Sequence, residues 1–317
     1  MYDFRIVADT SADLSEEIIK EKEIVTVPFY VMQEEDVYKK HRVELFDHEF
    51  YTWMIENPKL MPKSAAPSVD DFYQVFTELV EKGEKVLCIC ITVKFSSSYQ
   101  NTCIAKDLVL EKYSDARIEV VNSICNTVLQ GLVVYEATRL RESGASLEYA
   151  AAELERIKPS GRIFFTIGSM DYLTMGGRIG NLAGKVSGVL DLRPIIRLSE
   201  GEIHLAGLAR GRLKSLSKVL NAGKEYMKSS FKDISEFSAA VGFGYDRDEA
   251  LKFKAQFEEM LREIGLWVDA HIRVIGADNP YMRINPKTYF PQHLLKLGFK
   301  FQSFISVIAK AYGCREF

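Results

Sequence analysis

Three short segments of the chain concentrate hydroxyl side chains: Asp9-Thr10-Ser11, Ser64-Ala65-Ala66-Pro67-Ser68 and Ser96-Ser97-Ser98. The third follows an apolar run, Val86-Leu87-Cys88-Ile89-Cys90-Ile91, that reads as a buried strand, and it precedes a helix-like stretch from Thr102 to Leu110. A strand-to-helix junction gathers side-chain hydroxyls and unpaired backbone N–H groups, and an anion can sit there. For any one of these serines, capping the helix is the alternative role. Together the segments describe an oxygen-rich pocket with few charges, suited to a carboxylate or a phosphate. A fourth segment, Asp171 to Ile179, sets Arg178 directly behind Gly176-Gly177. Paired glycines permit a tight turn, and the guanidinium fork suits a bound anion or an internal ion pair. A fifth, Arg210-Gly211-Arg212-Leu213-Lys214, is either a solvated helix start or a docking patch for an acidic partner or a phosphorylated ligand.

Catalytic signatures are missing. The sequence has no G-x-S-x-G elbow, no P-loop and no G-x-G-x-x-G. His41, His48, His204, His271 and His293 all lie outside the hydroxyl loops, so a serine nucleophile has no evident base. A binding site fits these residues better than a catalytic one. Cys88 and Cys90 alternate on one strand face without further ligand spacing, and they read as small buried apolar residues, not as metal ligands. Five cysteines without a disulfide pattern suggest the reducing cytoplasm. A net charge of −3 disfavours nucleic acid as a partner. The N-terminus has no signal-peptide pattern, and no run is long and apolar enough to span a bilayer.

The elements that must position these loops alternate in the first half. Strands are expected over Phe4–Ala8, Ile24–Val31, Val86–Ile91 and Ile118–Val121, and helices over Leu14–Lys22 and Thr127–Arg141. Ser68 and Asp71 form a capping box before a helix whose apolar face is Val69, Phe72, Tyr73, Phe76, Leu79 and Val80. Repeated β-α-β order predicts a parallel sheet covered by helices, and in such sheets ligands bind at the carboxyl ends of strands. Lys158-Pro159-Ser160-Gly161 is the candidate boundary between domains. Beyond it, strands at Arg162–Ile167, Pro194–Leu198, Ile203–Ala209, Ser238–Gly244 and Val268–Ile275 surround helices at Arg212–Lys228 and Arg247–Glu263. The turn Ser199-Glu200-Gly201-Glu202 reads as a hairpin. The fold class is therefore α/β: an N-terminal parallel-sheet α/β domain (1–158) and a C-terminal α+β domain (159–317) with a mainly antiparallel sheet.

In this order, Asp9-Thr10-Ser11-Ala12-Asp13-Leu14, Val27-Pro28, Ser64-x-x-Pro67-Ser68, Lys94-Phe95-Ser96-Ser97-Ser98-Tyr99-Gln100, Gly176-Gly177-Arg178-Ile179, Pro194-Ile195-Ile196 and Arg210-Gly211-Arg212 resemble the DegV family. These are bacterial fatty-acid-binding proteins, some of them the lipid-carrying subunit of fatty acid kinase. The resemblance, from residue 4 to about 275, implies a long-chain fatty acid in a buried tunnel, with the second domain covering the acyl chain. It places the carboxylate on Ser64 and Ser96 and sets Arg178 near the head group or the kinase surface. Thr10, Ser11, Ser97 and Ser98 are additional candidates, and Arg210, Arg212 and Lys214 are docking candidates for the kinase. It implies no cofactor besides the lipid, no catalysis by this chain, and at most transient contact with a membrane.

The sequence also departs from the family pattern. Ser64 stands for a threonine, Ala65 for a serine and Ser97 for a glycine. Where the family has a His-Thr-Gly-Pro-Gly loop, this chain has Ala277-Asp278-Asn279-Pro280-Tyr281, and 277–317 looks atypical. Two alternatives stay open: a small-molecule hydrolase or phosphotransferase with Ser96 as nucleophile, and a regulatory member that has lost lipid binding.

Overall fold

The computed structural model describes residues 2–34, 37–58, 60–168, 171–182, 192–230, 237–244, 246–263, 273–276 and 303–309. The strands are β1 (Phe4–Asp9), β2 (Val25–Val27), β3 (Tyr30–Glu34), β4 (Val37–Lys40), β5 (Lys63–Ala65), β6 (Lys85–Cys90), β7 (Ile118–Asn122), β8 (Arg162–Thr166), β9 (Leu192–Ser199), β10 (Glu202–Arg210), β11 (Phe237–Phe243), β12 (Arg273–Gly276) and β13 (Ser303–Ala309). The helices are α1 (Glu16–Glu21), α2 (Asp47–Glu56), α3 (Val69–Glu81), α4 (Ser98–Lys112), α5 (Thr127–Glu142), α6 (Leu147–Ile157), α7 (Asp171–Met175), α8 (Arg212–Ser230) and α9 (Arg247–Glu263).

β2, β1, β6 and β7 form a parallel sheet in that order. Its strands are apolar on both faces because helices cover both. Val7, Val86, Cys88, Cys90 and Ile118 pack against Phe72, Phe76 and Leu79 of α3 and Ala105 and Val109 of α4. Ile6, Ala8, Leu87, Ile89 and Val121 face α5 and α6. A second sheet runs β10-β9-β8-β13-β11-β12 and is antiparallel except for the β11–β12 pair. One face of it meets α5 through Ile163, Phe165 and Ile196. The other carries α8 and α9 through Phe164, Ile195, Val219, Phe253 and Phe257. The layers are thus helix, sheet, helix, sheet, helix, with α5 in the middle.

That position explains the composition of α5. Val128, Leu129, Leu132, Val133, Val134 and Ala137 are buried around its circumference, and so are its polar residues Gln130, Glu136, Thr138 and Arg141. Gly131 lets the helix close on the loop after β1: a Cβ there would lie 2.5 Å from the Ala12 carbonyl oxygen.

The expected Ile24–Val31 strand is instead two, since Pro28 breaks it. β3 turns away to form a separate antiparallel sheet, β4-β3-β5. The Ser68–Asp71 capping box and the 199–202 hairpin form as expected. Of the strand expected at Val268–Ile275, only its end lies within the described residues, as β12. The segment Ala277–Tyr281 lies outside the described residues. In the tail, Ser303–Ala309 forms β13 between β8 and β11. No described helix is long and apolar enough to cross a membrane.

Candidate functional site

The parallel sheet reverses its winding between β1 and β6, because β2 lies on one side of β1 while β6 and β7 lie on the other. Ligands of open α/β sheets sit outside the carboxyl ends of strands at that crevice. Here a side chain of the protein occupies it. Asp9, the last residue of β1, is fully buried. Its Oδ2 accepts the Ile91 N–H at 3.1 Å and the Ser98 hydroxyl at 2.7 Å. Its Oδ1 accepts Gln130 Nε2 at 2.8 Å and the Ser11 hydroxyl. Gln130 Oε1 in turn lies 2.8 Å from Ser11 Oγ. A buried carboxylate with four donors is well satisfied, and the network fixes the loops after β1 and β6 against α5.

This network sorts the hydroxyl residues. Ser11 and Ser98 serve Asp9, and Ser98 is fully buried, so neither presents its hydroxyl to solvent as a first-line ligand group. Ser96 is half-buried, and its oxygen accepts the Ser98 N–H at 3.2 Å. Capping therefore falls to the oxygen of Ser96, and that bond leaves the Ser96 proton as a donor. Ser97, the N-cap by position, makes no side-chain cap bond and is exposed. Ser64 is exposed on β5 opposite Val31 of β3. Its loop is tied to α4 by Asn101 Nδ2, which donates to the Pro67 carbonyl at 2.8 Å. The capping box is anchored in turn, since Tyr30 donates to Asp71 at 2.9 Å. Burial and that bond push the Tyr30 phenol up to about 12.

Arg178 reaches the same loop from the second half of the chain. Its Nε donates to the Phe95 carbonyl at 3.1 Å, and Nη1 donates to Gly176 O. Lys94 pairs with Glu202 of β10 at 3.1 Å. Gly201, at φ +82, fits where a Cβ would lie 2.6 Å from Thr92 Oγ1. These contacts surround a cleft of about 170 Å³ lined by Lys94, Phe95, Arg178, Glu202 and Ile203, with Ser96 next to Phe95 in the sequence.

Thr10 is buried, and its oxygen accepts the Phe29 N–H at 3.0 Å. Nδ1 of His41 lies 3.0 Å from the same oxygen, and Nε2 of His41 is 2.6 Å from Asp47 Oδ1. No histidine lies in a hydroxyl loop, but the turn after β4 brings His41 to Thr10 from thirty-one residues away. Arg42 braces the cluster with Nη2 2.7 Å from Asp47 Oδ2. Burial alone would raise the Asp47 carboxyl, but the His41 hydrogen bond and the Arg42 charge bring it down to about 2. Asp13 goes the other way. Burial, against the pull of Arg42 and with the push of Asp47, takes it up to about 6.

The basic cluster divides as well. Arg212 is an internal residue: Nε donates to Glu249 Oε1 at 2.9 Å, Nη2 pairs with Oε2, and the side chain is 11% exposed. It is corrected from docking candidate to a brace between α8 and α9. Arg210 and Lys214 are exposed, flanking Leu213. Cys88 and Cys90 are buried as expected; Cys125 is buried too, and burial pushes its thiol up to about 12.

Asp9, Gln130, His41 and Asp47 were not expected as site residues. The signal for Gln130 was a polar residue inside the apolar run of α5, and a buried polar group implies a partner.

The fold as a whole is known elsewhere. The chain superposes on a crystal structure of a stearic acid-binding protein from Eubacterium ventriosum with a TM-score of 0.83 and 35% identity, covering 97% of this chain and 98% of the other. It shares its fold with a fatty-acid-binding DegV family protein of Thermus thermophilus at a TM-score of 0.77 and 23% identity, covering 97% and 99% of the two chains. A DegV domain-containing protein of Caldanaerobacter subterraneus is 32% identical over 231 residues, 73% of this chain and 79% of that one. The model of the DegV family, described as uncharacterised proteins, matches residues 3–277, and the chain belongs to that family.

Proposed function

We propose that the chain binds a long-chain fatty acid, holds its carboxylate at the Ser96 loop and presents it to a separate kinase that forms the acyl phosphate. The observation that carries the reading is the 35% identity, over 97% of the chain, to a protein that binds stearic acid. The donors of Ser96, Ser64 and Arg178 support it chemically, because a bound anion needs them. An acyl chain with about fifteen methylenes, each worth about 0.8 kcal/mol, offers on the order of 12 kcal/mol before the costs of binding. The chain then sets affinity and the head group sets register. A carboxylate taken out of water needs donors around it. Neutral hydroxyls provide them while leaving its oxygen nucleophilic toward a phosphoryl group.

In this reading the second unit, 159–317, covers the acyl chain held by 1–158. Exposed Arg210 and Lys214 meet the kinase, and the protein works in the cytoplasm, where its buried thiols stay reduced. Mass spectrometry of the solvent extract from denatured pure protein tests the core of it. A fatty acid is expected in the extract, and stearate is expected to reload the delipidated protein. Neither being seen overturns the reading in favour of a regulatory role. Ser96→Ala separates it from a hydrolase: a carrier loses lipid affinity, whereas a hydrolase keeps its ligand and loses turnover on an ester or phosphate.

A further inference from the structure

Two exposed features lie on the outer helix layers of the molecule. The first is a groove of about 610 Å³ between α3 and α4, lined by Val69, Asp70, Tyr73, Leu108, Glu111 and Lys112. Leu108 and Ile104, one turn before it on α4, are 41% and 50% exposed. The carboxylates of Asp70 and Glu111 edge the groove, and Asp107 is exposed beside Leu108. They outnumber the one cation there, Lys112, which lies 4.8 Å from the centre of the Tyr113 ring. The second feature is at the start of α8. Leu213 is 83% exposed, more than any other large apolar side chain among the described residues. Arg210 and Lys214 flank it, and neither has an acidic partner among the described residues. A single exposed leucine is ordinary. Here the same chain also carries an apolar groove whose charges are opposite to those around the leucine, so anchor and socket are complementary in shape class and in sign.

We propose that the protein associates with further copies of itself head to tail, Leu213 of one copy entering the α3–α4 groove of the next while Arg210 and Lys214 meet its Asp70, Asp107 and Glu111. α3 and α4 lie outside the parallel sheet and α8 lies outside the second sheet, so the two patches are at opposite ends of the layer stack. One contact therefore leaves a free groove at one end and a free leucine at the other. Copies add in a row and do not close as a two-fold dimer. With one apolar anchor and exposed charges, the contact is weak and salt-sensitive. Arg210 and Lys214 are also the cations that meet the kinase in the function proposed above, so a copy held by its leucine is closed to the kinase. The self-contact itself does not rest on the fatty-acid reading.

Sedimentation velocity of the full-length protein, from about 10 µM to about 1 mM, reads the mass of the assemblies. The mean mass is expected to rise with concentration past that of a dimer, and raising salt from about 50 mM to about 500 mM should weaken association about tenfold. Leu213→Glu and Leu108→Lys, both at exposed positions, should each stay monomeric. An equal mixture of the two should form dimers and stop there, because one chain keeps the groove and the other keeps the leucine. That pairing also shows that both variants are folded. A wild type that stays monomeric throughout overturns the proposal, as does a mixture that stays monomeric while the wild type associates. Association lost in Leu108→Lys but kept in Leu213→Glu would mean a two-fold contact through the groove alone, and it overturns the proposal as well. Whether a fatty acid is extracted from these chains is a separate result, so the fatty-acid reading and the self-contact can each fail without the other.

Discussion

The crevice at Asp9 and the rim at Ser96 lie within a few residues of each other and obey opposite rules. At Asp9, each carboxylate oxygen already has two donors from within the protein. At the rim, Ser96 is half-buried with its oxygen engaged, and Ser64, Ser97 and Arg178 are exposed. A saturated polar network specifies structure, whereas donors left facing outward select a ligand. The Ser11 and Ser98 hydroxyls beside the usual ligand crevice are thus scaffold, and in the proposed function the binding groups are the ones displaced from it.

The largest effect that tests this contrast is Asp9→Ala. It removes the acceptor of the buried Ile91 N–H, Ser98 hydroxyl and Gln130 amide, and urea unfolding should show a loss of about 4 kcal/mol; a loss below about 1 kcal/mol would mean the network is not structural. Next is Gly131→Ala, which places a methyl against the Ala12 carbonyl and should cost about 2 kcal/mol by the same measurement. Ser96→Ala should do the reverse of Asp9→Ala. Stability stays within about 1 kcal/mol, while stearate affinity falls about tenfold in a fluorescence displacement assay.

The smallest effect is in the pH dependence of stability. Asp47 has a depressed folded value, so its contribution is present above 3.8 and fades as pH falls toward about 2. Asp13 has a raised folded value, so its contribution is full below 3.8 and is lost as pH rises through about 6. Urea midpoints measured across this range should lose the upper slope in Asp13→Asn and the lower slope in Asp47→Asn.

What could be read from the sequence was local. α9 has the bounds its periodicity predicts, and the Ser68–Asp71 box closes as its spacing requires. The Ser96 loop was found because strand, serines and helix are contiguous. The parts that could not be read depend on distant pairs. Asp9 meets Ser98 and Gln130 across 89 and 121 residues, and no local pattern encodes which serine it will claim. His41 likewise reaches Thr10 only because Pro28 ends β2 and sends the chain into a second small sheet. Arg212 looked like a surface cation because its partner, Glu249, lies on a different helix.

α5 touches a sheet on either side and offers almost no surface to water. Pulling either sheet away would wet its apolar side chains and break the buried bonds of Gln130 to Asp9 or of Glu136 to Ser238. In the proposed function, a lipid would enter by movement of the outer helices or of the loops at their ends and not of α5. Its amides should be among the last in the protein to exchange with solvent, whether or not a lipid is aboard.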